Sequence, residues 1–263
     1  MKPISSSANP AFKAWLRLAL NPREARTQRR CLAEGLHLAE AALQAGAGVE
    51  AVLLRRGRRS AAVERLVAAA LAGGANGYEL ADTLFDRIAP VEHGVGLMLV
   101  VAVPEQRLPQ RARGDLVYLD GVQDPGNVGT LLRTAAAAGV GEVIAAPTTA
   151  SLWSPKSLRA GQGAQFRLRL HEQIAPEALP AALDGLWIGT DTRAGAPLWA
   201  AELPVGPVGW MFGGEGAGLS GAARAVCRQF VSIPIGSGVE SLNVAAAAAV
   251  CLFERRRRFS SAH

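Results

Sequence analysis

Between residues 116 and 235 the sequence alternates short apolar runs with segments of helical character, and this pattern limits the possible folds more than any other feature. Most of the apolar runs are separated by a helical segment, which predicts an α/β fold with a mostly parallel sheet and helices on both faces. The predicted strands are Leu116–Leu119, Val143–Ala146, Phe166–Leu170, Leu186–Thr190, Val208–Phe212 and Phe230–Ile235.

Two of these predicted strands end in glycine-rich loops. Gly213–Gly218 contains a single acid, Glu215, and Gly236–Glu240 precedes the triplet Ser241–Asn243 at the start of an alanine-rich helix. Glycine has no Cβ, so the backbone of such a loop can approach a ligand closely. Loops at the carboxyl ends of strands are the usual ligand site of an open α/β sheet. The pattern therefore predicts a site for a nucleotide-like ligand, and the alternative is two ordinary turns.

A third polar loop follows the first predicted strand, which ends at Asp120. After a turn at Pro125, Asn127 is predicted to cap a helix that runs to Gly139. Arg133 lies six residues beyond Asn127, which is less than two helical turns, so both side chains can remain near the loop. The alternative is that Asn127 is only a cap and Arg133 only a surface arginine.

The segment Gly216–Gly221 matches the dinucleotide fingerprint G-x-G-x-x-G after a strand and before a helix. A dinucleotide-binding fold needs several strands after this point, and only one is predicted here. The next strand ends Ser232–Ile235 without the acidic residue that would bind the ribose. A nucleotide-dependent oxidoreductase is therefore a weak alternative.

The domain organisation is predicted from composition. Residues 1–104 are expected to form a tail and a small α/β domain, with residues 1–9 disordered. Residues 105–114 are rich in proline and arginine and are expected to be a linker. Residues 115–263 contain the alternating pattern and are expected to form the second domain.

The positive charge of the chain is concentrated near its start. The first 60 residues contain eleven lysines and arginines against four glutamates, whereas the rest contains 17 basic and 18 acidic residues. The basic loop Arg55–Arg59 is suited to phosphate contacts, so the first domain is expected to bind a polyanionic partner such as a nucleic acid. The alternative is a solvated surface that is rich in arginine.

Cysteine and histidine usage argues against disulfide bonds and against a metal site. Cys31, Cys227 and Cys251 are far apart and odd in number, which is typical of reduced thiols in a cytosolic protein. The four histidines lack metal-ligand spacing, so no metal is expected.

The N-terminus has no apolar segment of a secretion signal, and the longest apolar run, Val244–Phe253, is too short to span a bilayer. A cytoplasmic protein without membrane attachment is expected.

Three stretches together resemble the SpoU family of RNA ribose methyltransferases, in the SPOUT superfamily. They are LDGVQDPGNVGTLLRTAAAAGV (119–140), MFGGEGAGLS (211–220) and VSIPIGSGVESLNVAAAAAVCLFE (231–254), and they match the three motifs of that family in order and in spacing. A weaker resemblance covers residues 31–54, which are similar to the small RNA-binding domain that often precedes the catalytic one.

The resemblance implies a deep trefoil knot, S-adenosylmethionine bound in a bent form, and a homodimer with the C-terminal helix in its interface. It implies methyl transfer to a ribose 2′-hydroxyl of RNA, with large-subunit ribosomal RNA favoured because an N-terminal domain is present. The alternatives are transfer RNA as the substrate, or an RNA-binding or assembly protein without catalysis.

Residue roles follow from the same resemblance. The implied catalytic residue that would activate the 2′-hydroxyl is Arg133. Four further polar residues are implied to position Arg133 and the ribose: Asn127, Glu215, Ser241 and Asn243. The implied cofactor-binding residues are Gly213, Ile233, Leu242 and Thr190.

Overall fold

The structure, a computed structural model, describes residues 1–57, 59–89, 94–105, 107–192 and 194–259. The chain divides into two compact units, the first made of residues 1–105 and 153–166 and the second of residues 106–152 and 167–263. Arg58 of the basic loop, Gln106 of the expected linker and residues 260–263 lie outside the described residues.

The first unit contains a five-stranded mixed sheet. Its strands are β1 (Lys2–Ile4), β2 (Arg30–Glu34), β3 (Val49–Arg55), β4 (Asn76–Leu80) and β5 (Leu97–Ala102), in the order β1-β4-β3-β5-β2. Its first five helices are α1 (Pro10–Leu20), α2 (Glu24–Gln28), α3 (Leu36–Gln44), α4 (Ala61–Ala72) and α5 (Asp82–Ile88). β4 is parallel to β1 and β3, and β5 is antiparallel to β2 and β3. The small α/β domain predicted from the sequence is confirmed.

The start of the chain differs from the prediction. Residues 1–9 were expected to be disordered, but Lys2–Ile4 pair in register with Tyr78–Leu80, and Ile4 is buried in the core. Asn9 then caps α1, its Oδ1 accepting the N–H of Ala11 at 2.9 Å. A three-residue strand has no periodicity of its own, and its partner is more than 70 residues away, so a sequence pattern does not reveal it.

The second unit contains the sheet that the alternating pattern predicts. Its strands are β6 (Leu116–Asp120), β7 (Glu142–Ala145), β8 (Arg169–His171), β9 (Leu186–Thr190), β10 (Ala196–Pro197), β11 (Val208–Gly213) and β12 (Gln229–Ser232), in the order β10-β12-β9-β11-β6-β7-β8. The helices of this part of the chain are α6 (Pro125–Ala137), α7 (Pro155–Gly161), α8 (Leu179–Ala182), α9 (Gly221–Val226) and α10 (Val244–Phe259), of which α7 belongs to the first unit. All pairings between these seven strands are parallel.

Helices flank this sheet. Tyr118 of β6 and Met211 of β11 pack in one core cluster with residues of α8 and α9. α10 packs along α6 and also contacts β11. After β12 the chain therefore returns past β9 and β11 to reach α6. The α/β architecture is confirmed, and the trefoil knot that the resemblance implies stays a prediction.

One predicted strand of this unit is displaced. The run Phe166–Leu170 was expected to be a strand, but Ala164–Arg167 forms a 3-10 turn and β8 covers Arg169–His171. Gln165 explains the turn, because its buried amide donates to the carbonyl of Ser157 at 2.9 Å and holds the chain against α7. Among the described residues, no helix is long and apolar enough to cross a membrane.

Candidate active site

Four neighbouring parallel strands end at one edge of the second sheet. β12, β9, β11 and β6 follow each other in the sheet, and their carboxyl ends therefore lie side by side. This places Thr190 at the end of β9, Gly213 at the end of β11 and Ile233 directly after β12. The Thr190 hydroxyl donates to the carbonyl of Met211 at 3.0 Å, which ties β9 to β11 at this edge. Three of the four predicted cofactor-binding residues thus share one edge.

The loop after β11 is compact because glycines allow its backbone to pack on itself. Gly214 and Gly218 form an isolated antiparallel bridge, and the Gly218 N–H donates to the Gly214 carbonyl at 2.9 Å. A Cβ on Gly213 would collide with the backbone of Gly218. A Cβ on Gly214 would lie 2.5 Å from the carbonyl oxygen of Gly121. Glycine is required at both positions for close backbone approach rather than for an unusual φ.

Replacing Gly213 with alanine should therefore lower the free energy of unfolding by about 1–3 kcal/mol, the usual cost of forcing extra atoms into a packed site. Gly221→Ala is the matched control, since a Cβ at Gly221 meets no atom within 4 Å. Urea unfolding of both variants measures the difference. An unchanged midpoint for Gly213→Ala would show that the loop is not packed as described.

The start of α6 differs from the prediction in an informative way. Asn127 was expected to be the helix cap, but the cap is Asp124, whose Oδ1 accepts the N–H of Asn127 at 2.9 Å. Proline at the first helical position lacks an N–H and has a helical φ, so Pro125 sets the start of the helix one residue after Asp124. The side chain of Asn127 is consequently not needed as a cap and can make other contacts.

The Asn127 side chain joins the other two polar loops. Its Nδ2 donates to Oε1 of Glu215 at 2.6 Å, and its Oδ1 accepts from Nδ2 of Asn243 at 3.0 Å. Asn243 in turn accepts the N–H groups of Ala245 and Ala246 at the start of α10. One hydrogen-bonded chain therefore connects the start of α6 to two segments that lie 88 and 116 residues further along the sequence.

The remaining predicted residues lie at the surface of the second unit. Arg133 is exposed on α6, and no hydrogen bond or ion pair to it occurs within the part of the chain that the structure describes. Ser241 is exposed, and Leu242 is 38% exposed just before α10. Arg133 is thus positioned by its helix alone and its guanidinium is available to a ligand.

Two polar residues at this edge were missed by sequence reasoning. Asp120, the last residue of β6, is only 5% exposed, and its Oδ2 accepts the N–H of Ser220 at 2.6 Å. Thr149 is also buried, and its hydroxyl donates to the carbonyl of Leu119 at 2.8 Å and accepts the N–H of Gly121 at 3.0 Å. Asp120 stood in the sequence at the end of a predicted strand, which was the available signal, whereas nothing in the sequence pointed to Thr149.

The electrostatics of the edge argue against a cysteine nucleophile. Burial raises the pKa of the Cys227 thiol to about 12, with Arg224 opposing and Asp120 adding to the effect. Burial, followed by the charges of Asp120 and Glu177, also raises the pKa of Tyr118. Both groups are therefore protonated at neutral pH, and a protonated thiol is a poor nucleophile. Among the described residues, no group of three or more His, Cys, Asp or Glu is placed to hold a metal ion.

Comparison with known proteins agrees with this geometry. The profile of the SpoU rRNA Methylase family matches residues 115–253, which include the whole hydrogen-bonded chain. The chain belongs to the SpoU rRNA methylase family. The profile of the MRM3-like substrate binding domain matches residues 9–98 of the same chain. The family resemblance inferred from the three stretches is therefore confirmed.

Relatives of this SpoU family member match it over nearly its whole length. It is 32% identical to the 23S rRNA (guanosine(2553)-2′-O)-methyltransferase RlmP of Bacillus subtilis, over 97% of this chain and 100% of that protein. The AdoMet-bound rRNA methyltransferase of Sinorhizobium meliloti superposes with a TM-score of 0.86 at 26% identity, covering 99% of each chain. The SpoU methyltransferase AviRb of Streptomyces viridochromogenes, in complex with AdoMet, has a TM-score of 0.83 at 28% identity, covering 95% of this chain and 98% of that one.

Proposed function

We propose that this protein transfers a methyl group from S-adenosylmethionine to a ribose 2′-hydroxyl of RNA, with 23S ribosomal RNA as the substrate. The observation that carries the proposal is the hydrogen-bonded chain of Asn127, Glu215 and Asn243, which brings together the three SpoU stretches at a glycine-lined sheet edge. The match of residues 115–253 to the family profile and the AdoMet-bound structural relatives support it.

The residues at the edge fit the proposed methyl donor. A Cβ on Gly213 or Gly214 would collide with the backbone of Gly218 or Gly121, so glycine lets the loop after β11 pack tightly at this edge, where the donor would bind. Thr190 ends β9, Ile233 directly follows β12 and Leu242 precedes α10. These three residues, with Gly213 and Gly214, would hold the donor. When bound, the donor supplies an activated methyl group on a sulfonium.

Arg133 has the chemistry to assist the 2′-hydroxyl. The reaction needs an in-line approach of the hydroxyl and removal of its proton, and positioning supplies much of the acceleration. A guanidinium stays charged in proteins, so Arg133 is a poor base in isolation. It stabilises the developing alkoxide electrostatically, or acts through a neighbouring RNA phosphate.

The other polar residues order the site. Glu215 accepts from Asn127, and Asn127 accepts from Asn243, so the chain fixes the start of α6, the loop after β11 and the start of α10 relative to one another. Arg133 lies on α6, so these hydrogen bonds also fix the position from which its guanidinium reaches the substrate. Ser241, two residues before Asn243, would contact the ribose.

Ribosomal RNA is favoured over transfer RNA by the comparisons. The RlmP relative covers this chain over 97% of its length, including the first unit, and its name specifies 23S rRNA. The MRM3-like substrate binding profile covers residues 9–98. Exposed arginines of this unit, among them Arg56 after β3, suit phosphate contacts that position an RNA without reading its sequence. A homodimer through α10 and a cytoplasmic location are further parts of the proposal.

A ligand-dependent shift in thermal unfolding tests the cofactor. S-adenosylmethionine at 100 times its dissociation constant should stabilise the protein by about 2.7 kcal/mol through mass action. NAD at the same concentration should leave the midpoint unchanged, because the acid of a dinucleotide site is missing from β12. A shift with NAD and none with S-adenosylmethionine would reverse the assignment and favour an oxidoreductase.

A further inference from the structure

Asp120 is a buried carboxylate at the centre of the proposed site to which the reaction assigns no role. It ends β6, the strand between β11 and β7, and only 5% of its surface is exposed. Its Oδ2 accepts the N–H of Ser220 at 2.6 Å. A hydrogen bond to a charged acceptor is about twice as strong as one between neutral groups. A buried carboxylate that makes this short bond is therefore a strong local anchor.

The bond closes the loop after β11 into a ring. Gly213, where the loop leaves the sheet, lies opposite Asp120 in the register of β11 and β6. Ser220, where the loop ends, returns to the same Asp120 through its N–H. Glu215 lies between these two points and reaches Asn127. Both ends of the loop that carries Glu215 are thus held at one residue of the neighbouring strand.

Holding the start of α9 does not require this carboxylate. The Ser220 hydroxyl already caps α9 by accepting the N–H of Ala223 at 3.2 Å. Asp120 instead accepts the backbone N–H of the same residue. The Asp120 charge is also felt inside the unit, where it adds to the raised pKa of Cys227. The contact therefore fixes the end of the loop, where it joins α9, against β6.

We propose that Asp120 is a positioning residue that sets the cofactor-binding conformation of the loop 214–220 through its bond to the Ser220 N–H. This inference rests on the proposed function, because it takes the loop to be the cradle of S-adenosylmethionine. Asp120 acts through the loop backbone and through Glu215, and it has no direct part in the chemistry. Loss of the bond releases the end of the loop and weakens cofactor binding.

A matched pair of variants at Ser220 isolates the bond. Both Ser220→Ala and Ser220→Pro remove the hydroxyl cap of α9, but only proline also removes the N–H that Asp120 accepts. Ser220 has a φ of −61°, which suits a proline ring, and the proline Cδ takes the place of the N–H hydrogen and so displaces the Asp120 carboxylate. Titration calorimetry of the full chain with S-adenosylmethionine should show about ten- to hundredfold weaker binding for the proline variant than for the alanine variant.

Variants of Asp120 provide an independent test. Asp120→Asn keeps an oxygen that can accept the N–H, so it should retain most of the affinity for S-adenosylmethionine. Asp120→Ala should weaken that affinity as much as Ser220→Pro does. Equal affinities in the Ser220 pair would overturn the inference, even if Asp120→Ala fails to fold. If the unchanged protein itself does not bind S-adenosylmethionine, the proposed function fails instead.

Discussion

Replacing Arg133 with alanine should lower the rate of methyl transfer about a hundred- to a thousandfold, the usual loss when one electrostatic stabiliser of a developing oxyanion is removed. The affinity for S-adenosylmethionine and the unfolding midpoint should not change, because the exposed Arg133 makes no hydrogen bond within the described residues. Single-turnover rates with RNA, combined with calorimetric cofactor binding, separate the two effects.

Lysine at the same position is the matched control. Arg133→Lys keeps the positive charge but loses the planar fork that can contact the ribose oxygen and a phosphate together. Its rate should lie between those of the unchanged protein and Arg133→Ala. Full activity of the alanine variant would remove Arg133 from the mechanism, and a loss of cofactor affinity equal to the loss of rate would assign it to binding.

The second large effect is expected at Arg255, on stability rather than on catalysis. The Arg255 side chain is 7% exposed, and its Nε binds Asp115 Oδ2 at 2.9 Å. It also donates to the carbonyls of Pro204 and Gly206, the latter at 2.6 Å. Arg255→Met keeps the apolar stem but leaves a partly buried carboxylate and these carbonyls without their donor. The free energy of unfolding should fall by about 3–5 kcal/mol.

Arg257 on the same helix is the control for this variant. Its side chain is 72% exposed and pairs with Glu254 within one turn. Exposed pairs of this kind contribute little, so Arg257→Met should leave the unfolding midpoint unchanged within error. A loss of 3 kcal/mol corresponds to roughly 6–12 °C for a protein of this size class. Equal midpoints for Arg255→Met and Arg257→Met would contradict the buried arrangement.

The parallel sheet and the three polar loops could be predicted because they rest on local signals. Apolar runs that alternate with helices define parallel strands, and parallel strands bring their carboxyl ends to one edge. The grouping of Thr190, Gly213 and Ile233 as cofactor-binding residues came from the family resemblance, and the strand order of the structure brings them to one edge. The family resemblance added the roles of Glu215 and Asn243, for which spacing gives no rule.

Features that depend on long-range contacts were not predictable in this way. β1 takes its stability from β4, and the sequence around Lys2–Ile4 carries no periodic signal. The segment Trp153–Phe166 groups with the first unit although it stands between two strands of the second. In that segment a Cβ on Gly163 would be 2.6 Å from Cβ of Ala41, so the chain packs closely on α3. Prediction from the order of residues along the sequence assigns such a segment to the domain of the residues before and after it.

The cap of α6 was predicted to be Asn127 and is Asp124, and both are good candidates for this position. Both residue types favour the N-cap position. Pro125 decides between them, because proline is best placed at the first helical position and so selects the residue before it. The consequence is functional, since the Asn127 amide is then left to join Glu215 and Asn243.

The central claim is most directly tested by the chemical position of the transferred methyl group. Tritium from labelled S-adenosylmethionine would be transferred to total RNA from a strain that lacks this gene, with Arg133→Ala run alongside. The RNA would be separated by size and hydrolysed in alkali. A 2′-O-methyl group blocks cleavage at the adjacent phosphodiester, so we expect label in alkali-resistant dinucleotides of large-subunit ribosomal RNA, with the unchanged protein only. Label in mononucleotides, or no label although the cofactor binds, would contradict a ribose methyltransferase.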